Sequence, residues 1–409
     1  MNYKEKVVFV LGAGFSAPAK LPIQNGILQE MINKPVVDIM AYSPEPESKK
    51  FLFSFINVGL FLLENYTTLD CENLAKEFSN LEIKRKYAAC INPSVLSSDQ
   101  EYNTLLRMSE QIRTKLQTAN VHVSLEDVFT SFDKTYQSRE FFHKYSYQNT
   151  DTINESITRL FVYYFSKGCR AHKYNDANYL SFFKYLGNNP NASIISTNWD
   201  TLTEEYLNRL GIRYNLCLNE EYYHTEQKSK RKKKGLKEVN LVKLHGSINW
   251  FRCLNCGSIN IVSSADCGNY LFDDNCKEHC INCKEKKDHE FLLQAQIITP
   301  TMMKSLKSQL YYNLWSAAGS LLRNAERVVF IGYSLPIADY DFRYMLQKAI
   351  PSYAKVDVVL YHDDNPNQSD NLHMKELLPE NRYRALFAQN KLTFCYEGFG
   401  EFFKSEFPS

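Results

Sequence analysis

The chain has 409 residues, 44% of them hydrophobic, and a formal net charge of +2. That length predicts two or three domains with ample apolar surface for real cores, and so even a charge balance gives no global pull towards nucleic acid, membranes or acidic substrates. Lys4 and Lys6 lead into only five apolar residues before Gly12, and no apolar run reaches bilayer-spanning length, so a cytoplasmic protein without a membrane partner is expected.

The first predicted element is a central strand, Val7-Val8-Phe9-Val10-Leu11, running into Gly12-Ala13-Gly14-Phe15-Ser16-Ala17. Glycines there allow close backbone approach, and a helix N-terminus behind them offers amides to a pyrophosphate, so the turn is a candidate phosphate cradle, with tight packing as the plainer role. A dinucleotide-binding dehydrogenase needs an acidic residue at the end of a second strand, but Glu30 lies in the helical pattern of Ile27 to Asn33. Leu21-Pro22 ends the first helix early and predicts a loop.

From Pro35 to Lys184 the pattern is helical and rich in Phe and Tyr, with apolar residues at three and four spacing in Phe51 to Glu64, Asn103 to Ala119, Ser124 to Tyr136 and Ile153 to Gly168. Glu126 and Asp127 follow Ser124 and are read as stabilising a helix start, without a catalytic role. Ser193 to Ser196 and Leu241 to Leu244 are apolar runs that turn polar at their carboxyl ends, where open α/β sheets place ligand crevices. Thr197, Asn198, Asp200 and His245 thereby share one address. An asparagine orients water or a hydroxyl, a carboxylate holds hydroxyls, and a histidine carries protons near neutrality. The blander readings are a helix cap for Asn198 and a turn contact for His245. Between these runs, Lys228 to Lys234 is a dense basic stretch, expected as an exposed loop and the one local feature suited to phosphates or nucleic acid.

Six of the eleven cysteines fall between Cys253 and Cys283. Cys253 and Cys256 form one Cys-x-x-Cys pair and Cys280 and Cys283 another, with 23 residues between them, which is the spacing of a four-cysteine zinc ribbon. Cys267, Cys276, His279 and His289 are spare candidate ligands; Cys71, Cys90, Cys169, Cys217 and Cys395 read as buried thiols. Gln296 to Pro300 and Arg327 to Ile331 resume the buried-strand pattern. The second run ends in Gly332-Tyr333-Ser334-Leu335-Pro336 and the acidic Asp339 and Asp341, and Val356 to Tyr361 adds a strand before His362 to Asn365. These strand ends are candidate sites for ribose or adenine, and the sheet is expected to close around Leu392 to Tyr396.

In order, Gly12-Ala13-Gly14-Phe15-Ser16, Thr197-Asn198-Trp199-Asp200, His245-Gly246, the paired Cys-x-x-Cys and Gly332-Tyr333-Ser334 resemble the motifs of sirtuins, a NAD-consuming family. The resemblance implies an α/β fold: a Rossmann-like parallel sheet (1–34, 185–252 and 290–409), an inserted helical module (35–184) and a small zinc ribbon (253–289). It also implies NAD as substrate, contacted by Gly12, Ala13, Gly14, Phe15, Ser16, Thr197, Asp200, Gly332 and Ser334, with Asn198 and His245 catalytic and a structural zinc on the four cysteines. Deacylating sirtuins usually carry glutamine where Thr197 stands, and a Phe-Gly-Glu segment where this chain has Ile298-Thr299-Pro300-Thr301-Met302. Thr-Asn-Trp-Asp, Lys-Leu-His-Gly and Gly-Tyr-Ser-Leu look instead like the sirtuin-like effectors of bacterial antiphage systems, which destroy NAD. Some of those work with a HerA-type ATPase or a prokaryotic Argonaute, and a homo-oligomer assembled through the aromatic helices fits that picture. A protein deacylase or ADP-ribosyltransferase, and a non-catalytic NAD or ADP-ribose sensor, are the alternatives.

Overall fold

In the computed structural model, all residues are described except 1–4, 22–23, 34–44, 92–98, 120, 122, 219–222, 226–237, 264–266, 268–270, 272–279, 281–282, 284–292, 300–308, 361–378 and 408–409. The Lys228 to Lys234 run, Cys276, His279, His289, Pro300 to Met302 and His362 to Asn365 lie outside the described residues, as does the side chain of Cys90. The chain divides into two compact units, Met1–Ile23 with Phe165–Ala265 and His279–Ser409, and Gln24–Tyr164 with Asp266–Glu278.

The first unit is built on a seven-stranded parallel sheet. Its strands are β1 (Val7–Leu11), β2 (Ala192–Ser196), β3 (Tyr214–Asn215), β5 (Val239–Lys243), β9 (Arg327–Ile331), β10 (Lys355–Val359) and β11 (Lys391–Cys395), in the order β11-β10-β9-β1-β2-β5-β3. β1, β2 and β9 are buried along their whole length, as both-faced coverage of a parallel sheet requires, and this is why they read as unbroken apolar runs. β1 pairs with β2 on one side and β9 on the other, so Leu11, Ser196 and Ile331 end in register. The chain winds from β1 towards β5 and then returns to β9. The carboxyl ends of β1 and β9 therefore flank the topological switch point, where an open α/β sheet has its crevice. One face is packed by an aromatic layer in which Phe9 meets Phe182 of α8 (Ala177–Asn188) edge to face at 5.1 Å, and Phe15 meets Phe399 of α13 (Gly398–Glu406) at 5.1 Å.

A second, four-stranded sheet has the order β4-β7-β6-β8, from β4 (Tyr223–Thr225), β6 (Gly246–Cys253), β7 (Ile259–Ile261) and β8 (Leu293–Ile297). The run from Gln296, expected to return to the parallel sheet, instead pairs antiparallel with β6. A short apolar run does not declare its partner.

The other unit is helical, comprising α2 (Gln24–Asn33), α3 (Glu45–Tyr66), α4 (Glu72–Ile91), α5 (Asp99–Ala119), α6 (Leu125–Ser138) and part of α7 (Tyr147–Ala171). Phe51 to Leu63 of α3 is buried nearly all round, the mark of a central helix. Gly59 lets α5 approach so closely that a Cβ there would stand 2.3 Å from Ile112. Ser124 caps α6 by accepting from the Asp127 amide at 3.0 Å, which is the structural role expected of that acidic turn. Glu30 lies within α2. No helix among the described residues is long and apolar enough to cross a membrane.

Candidate active site and cysteine cluster

Three turns meet at the carboxyl ends of β1, β2 and β9, and backbone packing fixes them. After β1 the chain makes one short helix, α1 (Ala13–Ser16). The Gly12 amide donates to the Ile331 carbonyl at 3.0 Å, the Gly14 amide to the Gly332 carbonyl at 2.8 Å, and the Phe15 amide to the Gly12 carbonyl at 2.9 Å. Gly332 has φ +62°, and a Cβ there would sit 2.2 Å from the Phe15 nitrogen; one on Gly14 would sit 2.7 Å from the Gly332 Cα. The glycines thus bring two backbones into contact, and three of their turn's amides are engaged by protein carbonyls. What the turn turns outward is Ala13, with Gly14 half-buried.

Below it lies a polar knot joining β1 to β2. Ser16 donates to Asp200 Oδ2 at 2.8 Å, and Asp200 Oδ1 accepts from the Leu202 amide at 3.0 Å, which closes the start of α9 (Leu202–Arg209). Asn198 does not cap that helix. Its side-chain amide donates to the Gly12 carbonyl at 2.9 Å and to Ser16 Oγ at 3.1 Å. Ser16 and Asp200 are both buried, whereas Thr197 and Asn198 are half-buried. Asp200 is accordingly placed to hold the knot together, and Asn198 is tied to the glycine turn while remaining partly exposed.

His245 comes from the turn between β5 and β6. Its Nδ1 lies 3.1 Å from the Thr197 carbonyl oxygen and its Nε2 lies 3.4 Å from Asp339 Oδ1. Asp339 ends the 3₁₀ turn before α11 (Tyr340–Ala349), and its Oδ2 accepts from the Tyr333 hydroxyl at 2.9 Å. Burial raises the Tyr333 phenol above its ordinary value, so it stays a donor. The following Gly246 has φ +74°, and a Cβ there would come within 2.2 Å of the Gln296 carbonyl oxygen, which accounts for glycine after this histidine. Ser334 is exposed, its carbonyl accepting from Arg382 at 2.7 Å, and Leu335 is buried with φ +56°, a strained backbone for a branched residue.

Sequence reasoning missed a buried support beneath these turns. Lys243, at the end of β5, donates to Glu204 Oε1 at 2.8 Å, to Ser247 Oγ at 2.7 Å and to the Asp200 carbonyl. Burial pushes the Glu204 carboxyl up while Lys243 pulls it back, with burial the larger effect. The signal was available as a lysine inside an apolar strand run, where an unpaired ammonium is not tolerated. The dyad of His245 and Asp339 left no such trace, since 94 positions separate them.

The cysteine pairs do come together. The sulfurs of Cys253, Cys256, Cys280 and Cys283 all lie within 4.8 Å of one another, with Cys253 and Cys283 3.9 Å apart and Cys256 and Cys280 3.5 Å apart. Four sulfurs arranged tetrahedrally at about 2.3 Å from zinc stand about 3.8 Å apart, so the spacing fits that ion. Asn255 Nδ2 lies 3.5 Å from Cys283 Sγ and Ser258 Oγ 3.2 Å from Cys280 Sγ, donors suited to thiolates. Four cysteines close the coordination sphere, so a metal here is structural. Cys267 is buried and outside this group.

Residues 192–385, just under half of the chain, match the family described as SIR2-like domain. No curated protein matches. Similar solved structures include a Sir2 protein with deacetylated p53 peptide and 3'-O-acetyl ADP ribose, at 12% identity over 98% of this chain and 93% of that one, TM-score 0.37. Another is a Sir2 homologue mutant in complex with ADP-ribose, at 13% identity over 94% of each chain, TM-score 0.35. A third is Sir2 with the inhibitor EX-527, 2'-O-acetyl-ADP-ribose and deacetylated p53 peptide, at 11% identity over 98% and 93%, TM-score 0.32. These scores are low, and the fold is read from the strand order itself. The matched span holds Asn198, His245, Asp339 and all four clustered cysteines, and it supports a sirtuin-like family for this chain.

Proposed function

We propose that this protein hydrolyses NAD to nicotinamide and ADP-ribose. The observation that carries the reading is the framing of His245 by the Thr197 carbonyl and Asp339, beside Asn198 and the glycine turn, at the switch point of a parallel sheet. Nicotinamide leaves a cationic centre, so its departure through an oxocarbenium-like state calls for a fixed ribose and a placed nucleophile more than for a strong acid. Water oriented by Asn198 attacks the anomeric carbon, the bond to the nicotinamide nitrogen breaks with its electron pair, and the water's proton passes to His245. Ser16 and Asp200 keep Asn198 in place, while Gly14, Thr197, Gly332 and Ser334 border the crevice into which NAD would bind. Zinc on the four cysteines would hold the small sheet and its loops together, outside the chemistry.

The cellular role that fits the resemblance is depletion of NAD during phage infection, by a homo-oligomer with a separately encoded HerA-type ATPase or Argonaute partner. The test is direct: cells expressing the wild-type chain with its neighbouring genes should lose NAD and gain nicotinamide on infection. Cells carrying His245→Ala or Asn198→Ala should not, each change removing about two to four orders of magnitude of rate. Undiminished cleavage in both variants would place the active site elsewhere, and NAD binding without nicotinamide release would make the chain a sensor.

A further inference from the structure

The two ring nitrogens of His245 face oxygens of different character. The Thr197 carbonyl can only accept, so Nδ1 at 3.1 Å carries a proton in either charge state of the ring. Nε2, which holds the lone pair of the neutral ring, then faces Asp339 Oδ1 at 3.4 Å. A carboxylate repels a lone pair and attracts an N–H. Both side chains are buried, so little water damps the difference. The Tyr333 hydroxyl anchors the carboxylate by its other oxygen at 2.9 Å, which fixes the side of the ring from which it acts.

We propose that Asp339 is a positioning residue for the proposed cleavage: it directs Nε2 of His245 to the proton taken from water and holds the imidazolium that forms. The inference rests on the hydrolase reading for its effect on rate, while the pairing stands on the geometry alone. Other charges around the pair have their own engagements. Asp200 is turned to Ser16 and the Leu202 amide, and Lys243 is closed onto Glu204 and Ser247. Arg343 and Arg382 lie near enough to Tyr333 to oppose the upward push of burial on its phenol. Asp339, in contact with the ring, outweighs them at Nε2. The ring is thus favoured as imidazolium, and NAD cleavage switches on only as rising pH strips that proton from the base.

The experiment follows the ring itself in the full-length protein. With nine histidines in the chain, the His245 resonance of histidine-labelled protein is assigned by its loss in His245→Gln, then titrated in wild type, Asp339→Asn and Tyr333→Phe. Loss of an adjacent opposite charge should lower the His245 midpoint by about one unit or more in Asp339→Asn, and the acid limb of kcat/KM for NAD should move down by the same amount. Tyr333→Phe keeps the carboxylate, so its midpoint should stay at or above that of wild type. Identical titration in wild type and Asp339→Asn overturns the proposal, and so does an equal fall in Tyr333→Phe, which would mean that disturbance of the turn, rather than charge, moves the ring. A wild-type chain that releases no nicotinamide at any pH, yet shows the shifted titration, sinks the hydrolase reading and leaves the pairing intact.

Discussion

Lys243→Met tests whether the buried ion pair under the Thr197 to Asp200 turn holds the site in shape. The ammonium's three donors meet three acceptors, Glu204 Oε1, Ser247 Oγ and the Asp200 carbonyl, and Lys243 and Glu204 are 1% and 4% exposed. Methionine fills the same length without the charge. It leaves Glu204 as an uncompensated buried carboxylate whose Oε2 has no hydrogen-bond partner among the described residues, a loss of about 3–5 kcal/mol. The pH dependence follows from the direction of the Glu204 shift. Burial already holds its carboxyl above the ordinary glutamate value, and losing Lys243 raises it further. Between the unfolded and folded values the native state binds more protons than the unfolded one, so stability falls as pH rises through that window. The deficit of Lys243→Met should therefore shrink at about pH 5 and be full at about pH 8. Adding Glu204→Leu should recover a large part of it, leaving the cost of the unpaired Ser247 and Asp200 acceptors.

The three tryptophans, Trp199, Trp250 and Trp315, all lie in the sheet-bearing unit, so denaturant unfolding followed by tryptophan fluorescence reports on that unit. A double variant no more stable than Lys243→Met, or a deficit that grows towards acid pH, would refute the account of the pair. NAD cleavage by Lys243→Met, measured below its melting range, should also fall, because the Asp200 carbonyl loses the donor that holds its turn.

Purified protein should carry about one zinc per chain by elemental analysis, and Cys253→Ser should lower both the metal content and the melting temperature; a metal-free wild type of unchanged stability would remove the ion from the small sheet. Gly332→Ala should cost more than about 2 kcal/mol, through a left-handed φ combined with a Cβ 2.2 Å from the Phe15 nitrogen. Gly211→Ala is its control: φ is also positive at +66° but the space is open, so a cost of about 1–2 kcal/mol is expected, and equal costs at the two positions would show that the contact with the glycine turn does not matter. Ser124→Ala should cost about 1 kcal/mol in the helical unit by chemical denaturation, without touching cleavage, since its hydroxyl caps α6.

What the sequence disclosed, and what it withheld, divides along the line between local and long-range forces. β1, β2, β5 and β9 announced themselves because a strand covered on both faces must be apolar throughout, and their polar ends marked where Asn198 and His245 would lie. The four cysteines were legible because a closed tetrahedral site dictates paired spacing. The partner of a strand is set elsewhere in the chain, and so the run beginning at Gln296 could be read as a strand without disclosing that it pairs with β6. The glycines of the first turn could be seen as needing room, but only the structure shows the room filled by Gly332 and Tyr333. The same reasoning explains Asp339. Its position after a Gly-Tyr-Ser turn suggested a hydroxyl-binding carboxylate. What decides its chemistry, however, is that Tyr333 ties one oxygen down while the other meets Nε2 of a histidine held by Thr197. A carboxylate so constrained has little freedom left to grip a sugar. On the proposed hydrolase reading, the proton economy of His245 is the property it governs most directly, through electrostatics rather than through contact with substrate.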